Sequence, residues 1–126
     1  MRNCILLVVL LCLGLLPSAV AQKFTGTIRG SVTDASGAVV PGAEVKIKNN
    51  ATAEERTVTT NDQGEYVAPE MEAGIYTVTV RKANFKENVS TRVELHVAST
   101  VSLSNKLEVG NVNEQVTVEA NTVQVE

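Results

Sequence analysis

From Thr27 to Leu107 the chain alternates apolar and polar residues with a period of two, in short runs broken by Gly, Pro, Asn and Asp. That period puts successive side chains on opposite faces of extended backbone. Each run therefore specifies a strand with one face for a core and one for water. Composition points the same way. After Ala21 the only leucines are Leu95, Leu103 and Leu107, and Val, Ile and Thr take their place. Branching at Cβ suits pleated, half-buried backbone better than helix. No amphipathic helix of useful length is present, so the pattern predicts an all-β domain.

Seven strands are expected: Thr27–Thr33, Ala43–Asn49, Arg56–Thr60, Glu65–Ala68, Ile75–Arg81, Val89–Val97 and Val101–Leu107. Turn signals at this spacing are those of an antiparallel sandwich. Asp34-Ala35-Ser36-Gly37 suits an Asp-capped turn. Pro41-Gly42 suits a type II turn, with Pro setting φ and Gly taking positive φ. Asn61-Asp62-Gln63-Gly64 is the clearest hairpin turn. The inward set is Ile28, Val32, Val45, Ile47, Val58, Tyr66, Tyr76, Val78, Val80, Phe85, Val89, Val93, Leu95, Val97, Val101, Leu103 and Leu107. Such a set yields some tens of kcal/mol at about 1.5–3 kcal/mol per buried side chain, largely offset by backbone ordering.

The amino terminus has a different character. Arg2 precedes an uncharged run from Cys4 to Leu16, Pro17-Ser18 breaks it, and Ala19-Val20-Ala21 is a small-x-small cleavage pattern. This is the pattern of a secretion signal over residues 1–21, a short apolar helix cleaved between Ala21 and Gln22. The apolar run is shorter than the ~20 residues a membrane-spanning helix needs. An uncleaved anchor is the alternative, and a lipoprotein is a poor fit because Cys12 sits mid-run. Cleavage removes Cys4 and Cys12, the only cysteines. The mature chain then has no disulfide, thiol nucleophile or thiolate metal site. It keeps all 14 acidic residues and all but one of the 11 basic ones, a balance that excludes a basic nucleic-acid face.

The inventory of reactive groups is thin. His96, the single histidine, is expected on an outward strand face. No Ser or Thr has an evident base beside it, as a nucleophilic triad requires. Carboxylates cluster at Glu54-Glu55 and at Glu70 and Glu72, in loops where no cleft is expected. Asn61 to Glu65 could offer oxygens to calcium, but it lacks the spaced acids of an EF-hand loop and reads as a turn. Asn50-Ala51-Thr52 and Asn88-Val89-Ser90 fit the glycosylation sequon. There is no Trp on which a sugar could stack. The expectation is a non-enzymatic chain without a metal or cofactor.

Five segments in order carry a resemblance. They are Ile28-Arg29-Gly30-Ser31-Val32-Thr33-Asp34, Gly37, Pro41-Gly42-Ala43-Glu44-Val45, Thr60-Asn61-Asp62-Gln63-Gly64-Glu65-Tyr66 and Gly74-Ile75-Tyr76-Thr77-Val78-Thr79-Val80. Together they resemble the carboxypeptidase regulatory-like domain family. The resemblance implies a seven-stranded, prealbumin-like or Ig-like sandwich with a carbohydrate-binding-like fold and a non-catalytic role. Asn84 stands where the family has glycine before an aromatic, here Phe85, and Asn tolerates left-handed backbone.

The division is then signal (1–21), sandwich (22–107) and extended connector (108–126). The Val/Thr/Glu alternation from Glu114 has no expected partner within the chain. With the leader and the domain, the stretch Glu114-Gln115-Val116-Thr117-Val118-Glu119-Ala120 is similar to the amino terminus of Oar-like TonB-dependent outer-membrane receptors. There it would be a TonB box, an extended segment that adds to a partner's sheet edge. A plain linker and an eighth strand remain open for it. The resemblance implies export across the inner membrane to the periplasm and outer membrane. It also implies a TonB-like energy-coupling protein or a receptor plug and barrel as partner, with a free-standing glycan- or protein-binding module as the alternative.

Overall fold

A computed structural model of the chain describes Met1 and residues 24–110, 113, 115–120 and 123–125. The Ala21–Gln22 cleavage position and the leader beyond Met1 lie outside the described residues, as does Glu114. Among the described residues nine strands form two facing sheets: β1 (Thr25–Asp34), β2 (Glu44–Asn49), β3 (Glu55–Thr59), β4 (Glu65–Glu72), β5 (Gly74–Arg81), β6 (Glu87–Leu95), β7 (Thr100–Leu107), β8 (Gln115–Glu119) and β9 (Val123–Val125). One sheet runs β4-β1-β7-β9 and the other β3-β2-β5-β6-β8. Most pairs are antiparallel, but β1 lies parallel to β7 and β6 parallel to β8. Among the described residues no helix is long and apolar enough to cross a membrane.

The turns are built as the residue types require. Asp34 Oδ1 accepts from the Ser36 amide and hydroxyl and from the Ala38 amide. Asn61 Oδ1 accepts from the Gln63 and Glu65 amides at 3.0 and 2.9 Å. That oxygen is occupied in holding the turn, which is where a calcium reading would have needed it. Gly64 closes the same turn at φ 73°, where a Cβ would lie 2.7 Å from the Val32 carbonyl. Asn84 adopts the left-handed conformation at φ 71°.

All seven expected strands are present, and the core between the sheets contains Ile28, Val32, Val45, Ile47, Tyr66, Tyr76, Val78, Val80, Val93, Leu95, Val101, Leu103 and Leu107. Val40, Ala43, Ala68 and Met71 join them, while Val58 and Phe85 are only partly buried. Two expectations fail at bulges. In β4, Pro69 and Glu70 oppose a single residue of β1, and Glu70 takes φ 55°. The strand thus passes through Pro69 to Glu72 where a loop was expected. In β6, Thr91 and Arg92 oppose one residue of β5, and Arg92 takes φ 57°. An extra residue shifts the phase of the strand by one, so side chains before and after it exchange faces. Val93 and Leu95 therefore point inward together with Asn88 and Ser90. Val89 is buried but lies outside the core cluster. Val97, expected inside, lies beyond the end of β6 and is 48% exposed.

The bulge in β6 brings polar groups into the interior. Tyr66 Oη donates to Asn105 Oδ1 at 2.8 Å. The Asn105 amide donates to Asn88 Oδ1 and Ser90 Oγ, each at 3.1 Å. Asn88 Nδ2 donates to the Lys106 carbonyl at 3.2 Å. All four side chains are buried, and none of their buried polar atoms lacks a partner. Gly30 makes room for the phenol, since a Cβ there would stand 2.5 Å from Tyr66 Oη. The sequon asparagine Asn88 is thus consumed inside the fold, whereas Asn50 is exposed.

The tail corrects a further expectation. The segment read as a connector without a partner is an edge strand: β8 pairs with β6, Glu87 opposite Gln115 and Thr91 opposite Glu119. β9 then pairs antiparallel with β7, Thr100 opposite Val125.

Candidate functional site

The two carboxylate clusters meet at one end of the sandwich. They border a cleft of about 460 Å³ formed by Phe24 and Thr25, Asn49, Glu54 to Arg56, Glu70 to Ala73, Tyr76 and Val97. The expectation that these acids sit in loops without a cleft is therefore corrected. Three segments distant in sequence converge here, each for a local reason. Asn49, at the end of β2, is buried and accepts from the Ala51 and Thr52 amides at 2.9 and 3.2 Å, which folds the following loop back. The β4 bulge re-aims the strand at Glu70, as bulges do at the rims of sheets. Arg56 Nη1 donates to the Pro69 carbonyl and ties β3 to that bulge across the two sheets.

Tyr76 forms part of the wall. Its hydroxyl donates to the Glu72 carbonyl at 2.7 Å, and burial, aided by nearby Glu72 and Glu54, pushes the phenol above its usual range. Phe24 and Val97 contribute exposed apolar surface, with Phe24 68% accessible. The cleft thus pairs an accessible aromatic ring with carboxylates and one guanidinium. That set suits holding a ligand by an apolar face and by hydrogen-bond acceptors. It includes no serine, cysteine or histidine. Among the described residues no group of three or more His, Cys, Asp or Glu is placed to hold a metal ion.

The remaining candidates lie elsewhere. His96 is exposed and its Nε2 lies 3.6 Å from Glu94 Oε1. In the tail, Gln115, Thr117, Val118 and Glu119 are exposed, Val116 is half-buried, and Ala120 packs against the core edge. The sequence signal for the cleft was the pair of acidic clusters; nothing in it marked Phe24 as their neighbour.

The model of the carboxypeptidase regulatory-like domain matches residues 27–108. The chain belongs to the carboxypeptidase regulatory-like domain family. The match spans all seven expected strands and stops before β8. A comparison with curated proteins finds no match. Solved structures share the fold. A proposed carbohydrate-binding protein from Bacteroides uniformis ATCC 8492 is 21% identical with a TM-score of 0.55, over 66% of this chain and 41% of that one. A cohesin–X-dockerin complex from Acetivibrio cellulolyticus gives 20% identity and a TM-score of 0.52, over 68% of this chain and 58% of that one. Catechol 1,2-dioxygenase from Pseudomonas arvilla C-1 is 11% identical with a TM-score of 0.56, over 76% of this chain and 56% of that one. The chain therefore spans only 41–58% of the lengths of these structures. At such identities the likeness concerns architecture, and the carboxypeptidase regulatory-like domain shares its sandwich with binding proteins and an enzyme alike.

Proposed function

We propose that this carboxypeptidase regulatory-like domain is an exported, non-enzymatic binding module. In this reading it serves as the periplasmic amino-terminal accessory domain of a TonB-dependent outer-membrane receptor. The observation that carries the binding role is the end cleft, where Phe24 stands accessible beside Glu54, Glu55, Glu70 and Glu72. The receptor context is supported by the order of leader, sandwich and the stretch from Glu114 to Ala120. Because Gln115–Glu119 pairs with β6, a TonB-box role requires that strand to leave the sheet before an energy-coupling partner can take it.

Two measurements test the reading. Reading the gene beyond the codon for Glu126 is expected to reveal a plug and barrel; a stop codon there refutes the receptor context and leaves the binding role standing. Calorimetry of the chain against peptides from that plug is expected to show saturable binding weakened by Phe24→Ala. A second reading, a free-standing glycan-binding module, is favoured by the exposed ring of Phe24 and by the Bacteroides uniformis structure. It predicts glycan-array hits that Phe24→Ala abolishes.

A further inference from the structure

The tail closes the seam between the two sheets on one side of the sandwich. β6 and β7 face each other there, joined by the Asn88–Lys106 and Asn105–Asn88 hydrogen bonds. β8 covers the edge of β6 and β9 the edge of β7. This strap is lightly held. No residue of β8 belongs to the core cluster, and Ala120 alone of residues 115–120 packs against it. An ion pair from Arg92 to Glu119 at 3.1 Å joins side chains 78% and 73% exposed, where such pairs contribute little. Beneath it lies a cleft of about 410 Å³ walled by Leu103, Lys106, Val116 and Val118. The pairing is parallel, the weaker geometry per residue.

We propose that the outer edge of β6 is a strand-acceptor site and that β8 is an exchangeable occupant, replaced by the same Gln115–Glu119 segment of a second copy. The occupant is specified by what already sits there. This sequence fits the edge in register, with Val116 turned partly inward. Any copy of it presents the same backbone donors and acceptors and the same alternation. The sandwich keeps its core when β8 departs, because among the described residues that core is assembled from β1 to β7 and the turns between them. Exchange of an identical element between protomers needs no new contact. The proposal is independent of the receptor reading and of the end cleft.

The test uses the full chain and a labelled peptide copying residues 112–121. In the double variant Thr117→Pro/Val118→Pro the resident strap cannot complete its ladder, since one of two adjacent strand residues always turns its N–H toward the neighbour. The peptide is expected to bind this variant roughly tenfold or more tightly than the wild-type chain, whose edge is occupied most of the time. Equal affinity for both chains, or equal binding of a scrambled peptide, overturns the proposal. Should the double variant lose its β-sheet circular dichroism, hydrogen exchange on the wild type decides instead. Amides of Gln115–Glu119 are expected to exchange well before those of Tyr76–Val80, and equal protection overturns the proposal. Sedimentation of the wild-type chain should show a dimer fraction that grows with concentration; a strictly monomeric chain at millimolar concentration refutes exchange between copies.

Discussion

Replacing Asn105 by leucine tests whether the buried polar network holds the sandwich together. Asn105 is 2% exposed and sits at the centre of the network, accepting from Tyr66 and donating to Asn88 and Ser90. Leucine has the same branched skeleton, with bulkier methyl groups in place of the amide O and N, and makes none of these three bonds. The Tyr66 hydroxyl, Asn88 Oδ1 and Ser90 Oγ would each lose a partner, at about 1–3 kcal/mol per stranded buried group. The Ser90 and Tyr66 hydroxyls can rotate toward other partners, so the expected loss is about 3–5 kcal/mol, in the lower half of the summed range. Against a typical total of about 5–15 kcal/mol this brings the domain near its threshold. Urea unfolding followed by circular dichroism reads the effect as a drop in midpoint of about 1–5 M, taking a slope of about 1–3 kcal/mol per molar. The companion variant Tyr66→Phe/Asn105→Leu removes both ends of the shortest bond. It should therefore cost less than the sum of the two single changes, because those share one interaction. A neutral or stabilising Asn105→Leu would refute the reasoning and show that apolar packing at the seam outweighs the network.

Three further outcomes are expected. Gly30→Ala drives a Cβ to 2.5 Å from Tyr66 Oη and 2.6 Å from the Leu103 carbonyl, and should lower stability by about 1–3 kcal/mol in the same urea assay. Burial raises the Tyr66 phenol well above its ordinary value of 10.0, so stability from this group is complete below pH 10 and declines as pH rises past it. Tyrosinate absorbance should accordingly appear for Tyr66 only with alkaline unfolding, and Tyr66→Phe should remove that part of the pH dependence. The Ser36 hydroxyl first, then the backbone amides of the Asp34 turn, hold the Asp34 carboxyl below its usual 3.8. Its contribution is present above pH 3.8 and is lost as pH falls toward the lowered value. The difference in Tm between wild type and Asp34→Ala should therefore shrink in acid.

Where strands run was legible because a period of two is written along most of β1, β2, β5 and β7. What each residue faces was less so, and the failures have one cause. A bulge is a single residue of altered φ, and in Glu70 and Arg92 it falls on side chains with no glycine-like signature. The extra residue in β6 sets Asn88 and Ser90 inward where Val89 was expected to lead. That is how a buried asparagine network arose from a segment that reads as a plain alternation. The cleft was half-visible. Its acids cluster in sequence, but their meeting with Phe24 depends on the pairing of β1 with β4 and on the bulge beside Pro69. The tail's own extended nature was plain, whereas its choice of the β6 edge was not, because a parallel neighbour leaves no turn between the paired strands to announce it.

The parallel ladder between β1 and β7 has a mechanical consequence. It runs from Thr27 opposite Thr100 to Asp34 opposite Leu107, so the first strand of the domain enters at one end and β7 leaves at the other. Tension applied between Thr25 and Leu107 therefore loads all the rungs of this ladder together, in shear. Beyond Leu107, β9 lies antiparallel to β7 at the sheet edge, and a pull from that side frees its rungs one after another. Under load the chain would yield in two stages: a soft release of the tail, then a stiff clamp that resists until β1 and β7 slide apart.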